Sequence, residues 1–253
     1  MIAISLQSGS NGNCIYVESC GVRLLFDAGI SGVAAERRLA AHGRGIRDVD
    51  AVIISHDHAD HAKFAGVYQR KYGLPLYVTE RTLYAAERRC GLGRLGDVKY
   101  FQAGKTVSFG PVSVLTMSTP HDGEDGVIFI VESREKRLGI MTDLGHVFDG
   151  LAREVASLDA VFMESNYDPS MLAASPYPVS LKRRIKGPGG HISNIESAEL
   201  LCSGTQLRWA CLSHLSEQNN DPGVALRTHQ DILGRRLRLY TADRYSATGL
   251  FHV

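Results

Sequence analysis

Five side chains that can bind a metal ion lie within residues 56–61, whose sequence is His-Asp-His-Ala-Asp-His. They follow residues 51–54, an apolar and mostly β-branched run that predicts a buried strand. In an extended segment every second side chain points to the same side, so the first two histidines converge on one point. A helix predicted to begin near residue 60 turns the last two side chains toward a second point. Imidazole and carboxylate groups suit zinc and similar divalent ions, so a metal site is favoured over a polar turn at His56, His58, Asp60 and His61.

Polar residues also end other predicted strands, where a rigid scaffold commonly presents functional groups. His121, Asp143 and His214 each follow an apolar strand. Considered without the run at residues 56–61, His121 is also typical of a turn residue, and Asp143 is also typical of a helix N-cap. His191 competes with His214 as a ligand, and we prefer His214. Asp27 closes an early strand, either as a helix cap or as a partner that holds a ligand histidine in its metal-binding tautomer.

The elements that position these residues alternate along the chain. Strands are predicted at residues 2–6, 14–18 and 22–26, before a helix at 32–42. After the histidine-rich stretch, a helix at residues 60–72 leads into further strands and helices. Five strands follow between residues 98 and 141, and the last third alternates strands with helices at 193–203 and 222–233. This order predicts an α/β fold with two mixed sheets flanked by helices, a four-layer αββα sandwich.

Length and composition limit the class of protein. The chain has 253 residues, of which 44% are hydrophobic, which suffices for a sizeable core. Its net charge of +1 gives no strong field for polyanions, so any affinity for nucleic acid must come from a local patch. Five cysteines without a C-x-x-C pair fit a reducing cytosol. No signal peptide or apolar run of about 20 residues is seen, so we expect a cytoplasmic protein that does not bind a membrane.

The chain resembles the metallo-β-lactamase-fold hydrolases. The resemblance is carried, in the order of the family and over almost the whole chain, by Phe-Asp-Ala-Gly at residues 26–29, the run at 56–61, His121, Asp143 and His214. Other segments narrow the resemblance to the YycJ/WalJ group of nuclease-like proteins: residues 6–13, 142–145, 164–168, 190–194 and 212–216. The region from 190 to 214 is also similar to the tRNA 3′-processing endonucleases. No inserted β-CASP domain fits, so residues 1–253 are expected to form a single domain.

The resemblance implies two divalent metal ions, with Zn²⁺ expected and Mn²⁺ as the alternative. His56, His58 and His121 would hold one ion, and Asp60, His61 and His214 the other, with Asp143 bridging them. Asp27 and Asn166 would support ligands from behind, and Asp60 and His191 would be catalytic. Two such ions suit phosphodiester hydrolysis, because they activate water and stabilise the phosphoryl oxygens.

His191 follows a glycine-rich segment, so the backbone there can approach a ligand closely. It also lies near a predicted helix start, which favours phosphate. We expect it to bind the scissile phosphate or to protonate the leaving oxygen, with a surface or capping histidine as the alternative. The nearby cations are either a solvated face or contacts to the phosphate backbone of a nucleic acid: Lys182, Arg183, Arg184 and Lys186.

These observations predict a metal-dependent phosphodiesterase that hydrolyses nucleic acid. A 5′-to-3′ DNA exonuclease of the YycJ/WalJ type, with a role in DNA repair, is the preferred form. The alternatives are an RNA-processing nuclease, or a hydrolase of small phosphodiesters, thioesters or lactones. A non-catalytic module with a structural metal is disfavoured, because structural sites are usually closed and four-coordinate.

Overall fold

The computed structural model describes residues 1–253 and contains fourteen strands and nine α-helices. The strands are β1 (Ile2–Gln7), β2 (Cys14–Ser19), β3 (Val22–Phe26), β4 (Ala51–Ile53), β5 (Leu76–Val78), β6 (Val98–Tyr100), β7 (Thr106–Phe109), β8 (Val112–Ser118), β9 (Val127–Ser133), β10 (Lys136–Met141), β11 (Ala160–Glu164), β12 (Trp209–Ser213), β13 (Arg238–Thr241) and β14 (Phe251–His252). The helices are α1 (Gly32–Ala40), α2 (Ala59–Ala62), α3 (Ala65–Tyr72), α4 (Glu80–Cys90), α5 (Leu151–Ala156), α6 (Pro169–Ala174), α7 (Val179–Lys186), α8 (Asn194–Leu201) and α9 (Pro222–Leu233).

The strands form two mixed sheets of seven strands each. The first has the order β14-β1-β2-β3-β4-β5-β6, and the second β13-β12-β11-β10-β9-β8-β7. In each sheet an antiparallel meander joins a parallel half, and the parallel strands β3 to β6 and β10 to β13 are linked through helices. The carboxyl ends of the central parallel strands therefore open onto loops that can meet above the sheets.

Three apolar layers hold these elements together. A cluster between the sheets includes Phe26 and Phe129, whose ring centroids lie 5.0 Å apart, and Phe162. A second cluster fills the space between the first sheet and helices α1, α3 and α4, and a third lies between the second sheet and helices α5, α8 and α9. Alternate residues of one strand serve different layers: Leu25 faces the helices while Phe26 faces the other sheet. The predicted four-layer αββα sandwich is thus confirmed, and none of the helices is long and apolar enough to cross a membrane.

One predicted helix is divided in the structure. The expected helix over residues 60–72 appears as α2 and α3, with a break at Phe64 (φ −106°, ψ 8°). The cause is tertiary: Phe64 N donates to the carbonyl of Ala28, whose own N donates to the carbonyl of His61. In a continuous helix, Phe64 N and the carbonyl of His61 would bond to other residues of the helix. Here both bond to Ala28 in the turn after β3, and this fixes the backbone of His61.

Candidate metal centre

The sequence-predicted ligands gather in one place between the two sheets. The first sheet contributes the loop after β4, which carries His56 and His58 and continues into α2 with Asp60 and His61. The second sheet contributes residues that follow β8, β10 and β12: His121, Asp143 and His214. Their side chains form overlapping groups in which the donor atoms lie within 4.8 Å of one another.

The first group consists of His56, His58 and His121. His121 donates from Nδ1 to the carbonyl of Gly190 (2.7 Å), so its Nε2 is unprotonated in the neutral ring and faces the group. This Nε2 lies 3.3 Å from Nδ1 of His58. Nε2 of His56 is buried and has no hydrogen-bond partner. The three rings therefore turn nitrogen atoms toward a common point.

The second group consists of Asp60, His61 and His214. Oδ2 of Asp60 lies 3.3 Å from Nε2 of His214 and 3.6 Å from Nε2 of His61. His61 and His214 are both buried, whereas Asp60 is partly open to solvent. His191 lies nearby with its Nδ1 bonded to a carboxylate at 2.6 Å, and the preference for His214 over His191 as the ligand stays a prediction.

Asp143 lies between the two groups. Its Oδ2 is 3.2 Å from Nε2 of His61, and its Oδ1 is 3.6 Å from Nε2 of His121. The Oδ2 atom is buried and accepts no hydrogen bond. Asp143 has φ +58°, Asp27 has φ +66° and His214 has φ +56°, so three residues of the site adopt the left-handed conformation that is uncommon outside glycine. Such conformations concentrate at functional sites.

Asp27 supports the site from the turn after β3. Its Oδ2 accepts from Nδ1 of His61 at 2.7 Å and from the hydroxyl of Ser55 at 3.0 Å, and its Oδ1 accepts from Ser55 N. This fixes the His61 tautomer that presents Nε2 to the group. The N-cap of α1 is Ser31, so the capping role considered for Asp27 is not used. The turn is tight: a Cβ at Gly29 would lie 1.7 Å from the carbonyl oxygen of Asp60.

Asn166 lies behind His214. Its Nδ2 donates to the carbonyl of His214 at 2.8 Å and lies 3.3 Å from Nδ1 of the same residue. The predicted residues Asp27 and Asn166 thus each contact one histidine of the second group. Asn13 makes a similar contact that the sequence did not reveal: its Nδ2 lies 2.9 Å from Nε2 of His61 and 3.3 Å from Oδ2 of Asp60.

Glu164 is a further site residue that sequence reasoning missed. Its fully buried carboxylate accepts from Nδ1 of His191 at 2.6 Å and from Leu144 N at 2.9 Å. Nε2 of His191 makes no hydrogen bond within the protein, and this side chain is partly exposed at the cavity. The sequence did indicate a functional position for Glu164. It is the last residue of an apolar strand, and Asp143 and His214 lie one or two residues after such strands.

The charges of the two groups differ. Burial, reinforced by neighbouring histidines, lowers the pKa of His56 and of His58, so both rings favour the neutral form that binds metal. Burial also opposes a charge on His214, but Asp143 and Asp60 raise its pKa to about 10. Burial alone would raise the pKa of Glu164, but the neighbouring His191 outweighs it and lowers that pKa to about 2. The carboxylates that attract protons onto this group would attract a metal cation in the same way.

A cavity of about 230 Å³ opens above the donors. Asp60, Asp143 and His191 lie in its wall, and helix α7 and the preceding loop contribute Tyr177, Leu181, Arg184 and Ile185. Two of the four predicted nucleic-acid contacts have partners in the protein. Nζ of Lys182 donates to the carbonyl of Ala173, and Arg184 pairs with Asp122; Arg183 and Lys186 are exposed and unpaired.

Known proteins share the sequence pattern of this chain over most of its length. The sequence model of the metallo-beta-lactamase superfamily matches residues 8–174. The chain belongs to the metallo-β-lactamase superfamily. It is 36% identical over 227 residues to the exodeoxyribonuclease WalJ of Streptococcus pneumoniae, with 88% of this chain and 84% of that protein covered. It is 34% identical over 230 residues to the exodeoxyribonuclease YycJ of Bacillus anthracis, with 90% and 87% covered. The expected relation to the YycJ/WalJ group is thereby confirmed.

Solved structures share the fold of this chain at low identity. The metallo-β-lactamase fold protein YhfI from Bacillus subtilis is 14% identical, with a TM-score of 0.75 and 98% of both chains covered. The short form of human tRNase Z is 12% identical, with a TM-score of 0.68 and 98% and 99% of the two chains covered. At this level of identity the likeness concerns the fold alone.

Proposed function

We propose that this protein is a metal-dependent 5′-to-3′ exodeoxyribonuclease. The observation that carries the proposal is the pair of donor groups joined by Asp143, in which two buried donor atoms have no partner, Nε2 of His56 and Oδ2 of Asp143. Buried polar atoms without a partner are uncommon, and a bound ion would complete them. The names of WalJ and YycJ, the relatives at 34–36% identity, support DNA as the substrate.

The donor chemistry fits two divalent ions. One would be held by His56, His58 and His121, and the other by Asp60, His61 and His214, with Asp143 in contact with both. Nitrogen and oxygen donors suit Zn²⁺, which we prefer, and also Mn²⁺. When bound, the two ions would lower the pKa of the attacking water and stabilise negative charge on the phosphoryl oxygens.

The side chains around the ions orient the reactants and move one proton. Asp60, on the open side of the site, holds the attacking water, whose oxygen bonds to phosphorus while its proton passes to solvent. The P–O3′ bond breaks and its electron pair stays on O3′. His191 donates the proton of Nε2 to this oxygen, since its Nδ1 is held by Glu164 at 2.6 Å. The products are a shortened strand with a 5′-phosphate and a released nucleotide with a free 3′-hydroxyl.

The proposal treats residues 1–253 as one catalytic domain of a cytoplasmic DNA-repair enzyme. Arg183 and Lys186 are the cations of α7 that have no partner in the protein and are open to solvent. These two residues support binding of the DNA backbone, because contacts between cations and backbone phosphates supply most of the affinity of proteins for nucleic acid. Arg184 also lines the cavity, where its charge is paired with that of Asp122.

The test is one panel of substrates. Single- and double-stranded DNA and RNA, labelled at either the 5′ or the 3′ end, are incubated with the protein and Zn²⁺, Mn²⁺ or Mg²⁺. We expect stepwise shortening of DNA from its 5′ end and about two ions per chain in the active protein. Cleavage of RNA alone, or shortening from the 3′ end, would contradict the assignment.

A second candidate is a hydrolase of small phosphodiesters, and the modest volume of the cavity favours it. Bis(nitrophenyl) phosphate belongs in the panel for this reason. If this compound is hydrolysed while every nucleic acid stays intact, the second candidate replaces the first.

A further inference from the structure

One wall of the cavity is a small helical unit, residues 169–186, which consists of α6, α7 and the loop between them. It has an apolar cluster separate from the three large ones, in which Tyr167, Leu172 and Ile185 are buried. Tyr177 and Leu181 pack against this cluster and also line the cavity. The unit therefore presents an apolar surface to the site, next to a floor of charged and polar donors.

Several contacts fix this wall in place. Nε of Arg184 lies 2.6 Å from Oδ2 of Asp122, and Nη2 lies 3.0 Å from Oδ1, which ties α7 to the residue after His121. Lys182 closes α7 onto the last turn of α6 through the carbonyl of Ala173 (2.7 Å). A Cβ at Gly190 would lie 2.2 Å from the carbonyl oxygen of Arg184, so the end of α7 packs closely on the segment that carries His191. The wall is thus held by a solvent-exposed bidentate ion pair, a lysine–carbonyl hydrogen bond and close backbone packing.

The wall adjoins the proposed acid, because the backbone N–H of His191 donates to the carbonyl of Ile185 at 2.9 Å. His191 shares the cavity lining with Tyr177, Leu181 and Ile185, and its free Nε2 is the atom that protonates the leaving oxygen in the proposed reaction. Because the leaving oxygen is O3′, the nucleotide on the side of His191 is the one that lies 5′ to the broken bond. In the proposed reaction, a wall beside the leaving oxygen would leave room for a chain end and obstruct a strand that continues on the 5′ side.

We infer that residues 169–186 enclose the 5′-terminal nucleotide, limit each cut to one nucleotide, and so restrict the enzyme to free 5′ ends. This inference rests on the proposed function. It attributes to one structural unit both the direction of DNA degradation and the number of nucleotides removed in each cut. The cavity of about 230 Å³ lies below the ~300–1,000 Å³ of usual ligand pockets, so it has no room for several nucleotides. Tyr177, at the entrance to α7, offers a ring on which the terminal base can stack.

The first experiment opens the wall. The double variant Tyr177→Ala/Leu181→Ala removes both partly buried side chains from the lining, while Val179→Ala on the same helix is the matched control, since Val179 is 64% exposed and outside the cavity. With internally labelled linear DNA, the wild type and Val179→Ala should release mononucleotides and leave circular single-stranded DNA intact. The double variant should release products longer than one nucleotide and should also cut circular DNA. The rate of each of these reactions should be roughly 10-fold or more above that of the wild type.

The second experiment measures binding without turnover. An oligonucleotide with 2-aminopurine at its 5′ end and a methylphosphonate at the first linkage is titrated with the metal-loaded protein. Stacking on Tyr177 should quench the fluorescence, and the same probe at the fifth position should respond much less. Tyr177→Ala should weaken binding about 5- to 150-fold and remove the quenching, whereas Tyr177→Phe should keep both.

A substrate test needs no variant and holds even if the double variant fails to fold. A fluorescein group on the 5′-terminal base should block the first cut by the wild type, and the same group on the third base should allow it. The inference is overturned if the wild type shortens DNA from the 5′ end but accepts the terminal fluorescein, or if the folded double variant keeps wild-type product lengths. Release of nucleotides from the 3′ end contradicts the proposed function instead. Complete absence of cleavage by the wild type on every nucleic acid overturns the proposed function itself.

Discussion

Replacement of Glu164 by glutamine isolates the group that holds His191. The carboxylate is fully buried and accepts a short hydrogen bond from Nδ1 of His191 at 2.6 Å; charge-assisted hydrogen bonds are shorter than neutral ones. Glutamine has almost the same shape and can still accept from Leu144 N, but it carries no charge to pair with the imidazolium that the acid requires. The variant should therefore fold and retain its ions while the ring of His191 loses its charged partner.

The magnitude follows from that bond. A hydrogen bond to a charged group contributes about 1.5–3 kcal/mol, and each 1.36 kcal/mol corresponds to a factor of ten in rate. We therefore expect kcat on DNA to fall about 10- to 150-fold in Glu164→Gln. A nitrophenyl phosphodiester has a good leaving group that needs no proton, so its hydrolysis should fall by less than about threefold.

The assay compares both substrates at saturation, with metal content measured by elemental analysis. Glu154→Gln is the matched control, because Glu154 lies on α5 and pairs with Arg137 outside the site. If Glu164→Gln loses an ion, Glu164 acts as a ligand; if both substrates slow equally with full metal content, His191 positions phosphate and does not donate the proton. Either result would refute the role of Glu164 as the partner that holds a proton-donating His191.

Three further predictions concern metal affinity, DNA binding and acid stability. Asp27→Asn weakens the bond that orients His61 and should lower the affinity for one ion about 10- to 100-fold in a chelator competition; unchanged affinity for both ions would contradict its supporting role. The double variant Arg183→Ala/Lys186→Ala should reduce the slope of log binding constant against log salt concentration by roughly 1.4–1.8 for DNA. An unchanged slope would mean that both residues are solvated and do not contact phosphate. Burial lowers the pKa of His229 from 6.5 to about 4, so the unfolded chain takes up its proton first and stability is lost as pH falls through this window. Denaturant unfolding should show the wild type losing about 3 kcal/mol more than His229→Gln between about pH 7 and pH 4, and equal losses would exclude His229 as the cause.

Much of the fold was predictable because hydrophobic periodicity decided it. The helix expected at residues 222–233 is α9 with the same bounds, and the strand expected at 22–26 is β3. Helix α8 begins behind Ser193 with Glu196 as its capping partner, as the Ser-x-x-Glu spacing predicts. Local patterns of this kind need no knowledge of the rest of the chain.

What could not be predicted depends on contacts between distant segments. Asn13 contacts Asp60 across 47 residues of sequence, and nothing in its turn-forming surroundings indicates a site residue. The run of cations at residues 182–186 looks uniform, yet the structure gives Arg184 a carboxylate partner and leaves Arg183 free. Glu164 differs, because its place at a strand end carried the same signal that identified Asp143.

The order of the donors along the chain delays the proposed activity during synthesis. The first group needs residues from His56 to His121, and the second is complete only with His214, which follows β12 of the other sheet. At roughly 5–20 residues per second, a ribosome takes about 10–30 s to pass from the first of these histidines to the last. A growing chain therefore lies close to nucleic acid without a complete site until His214 has been added and β12 has joined its sheet.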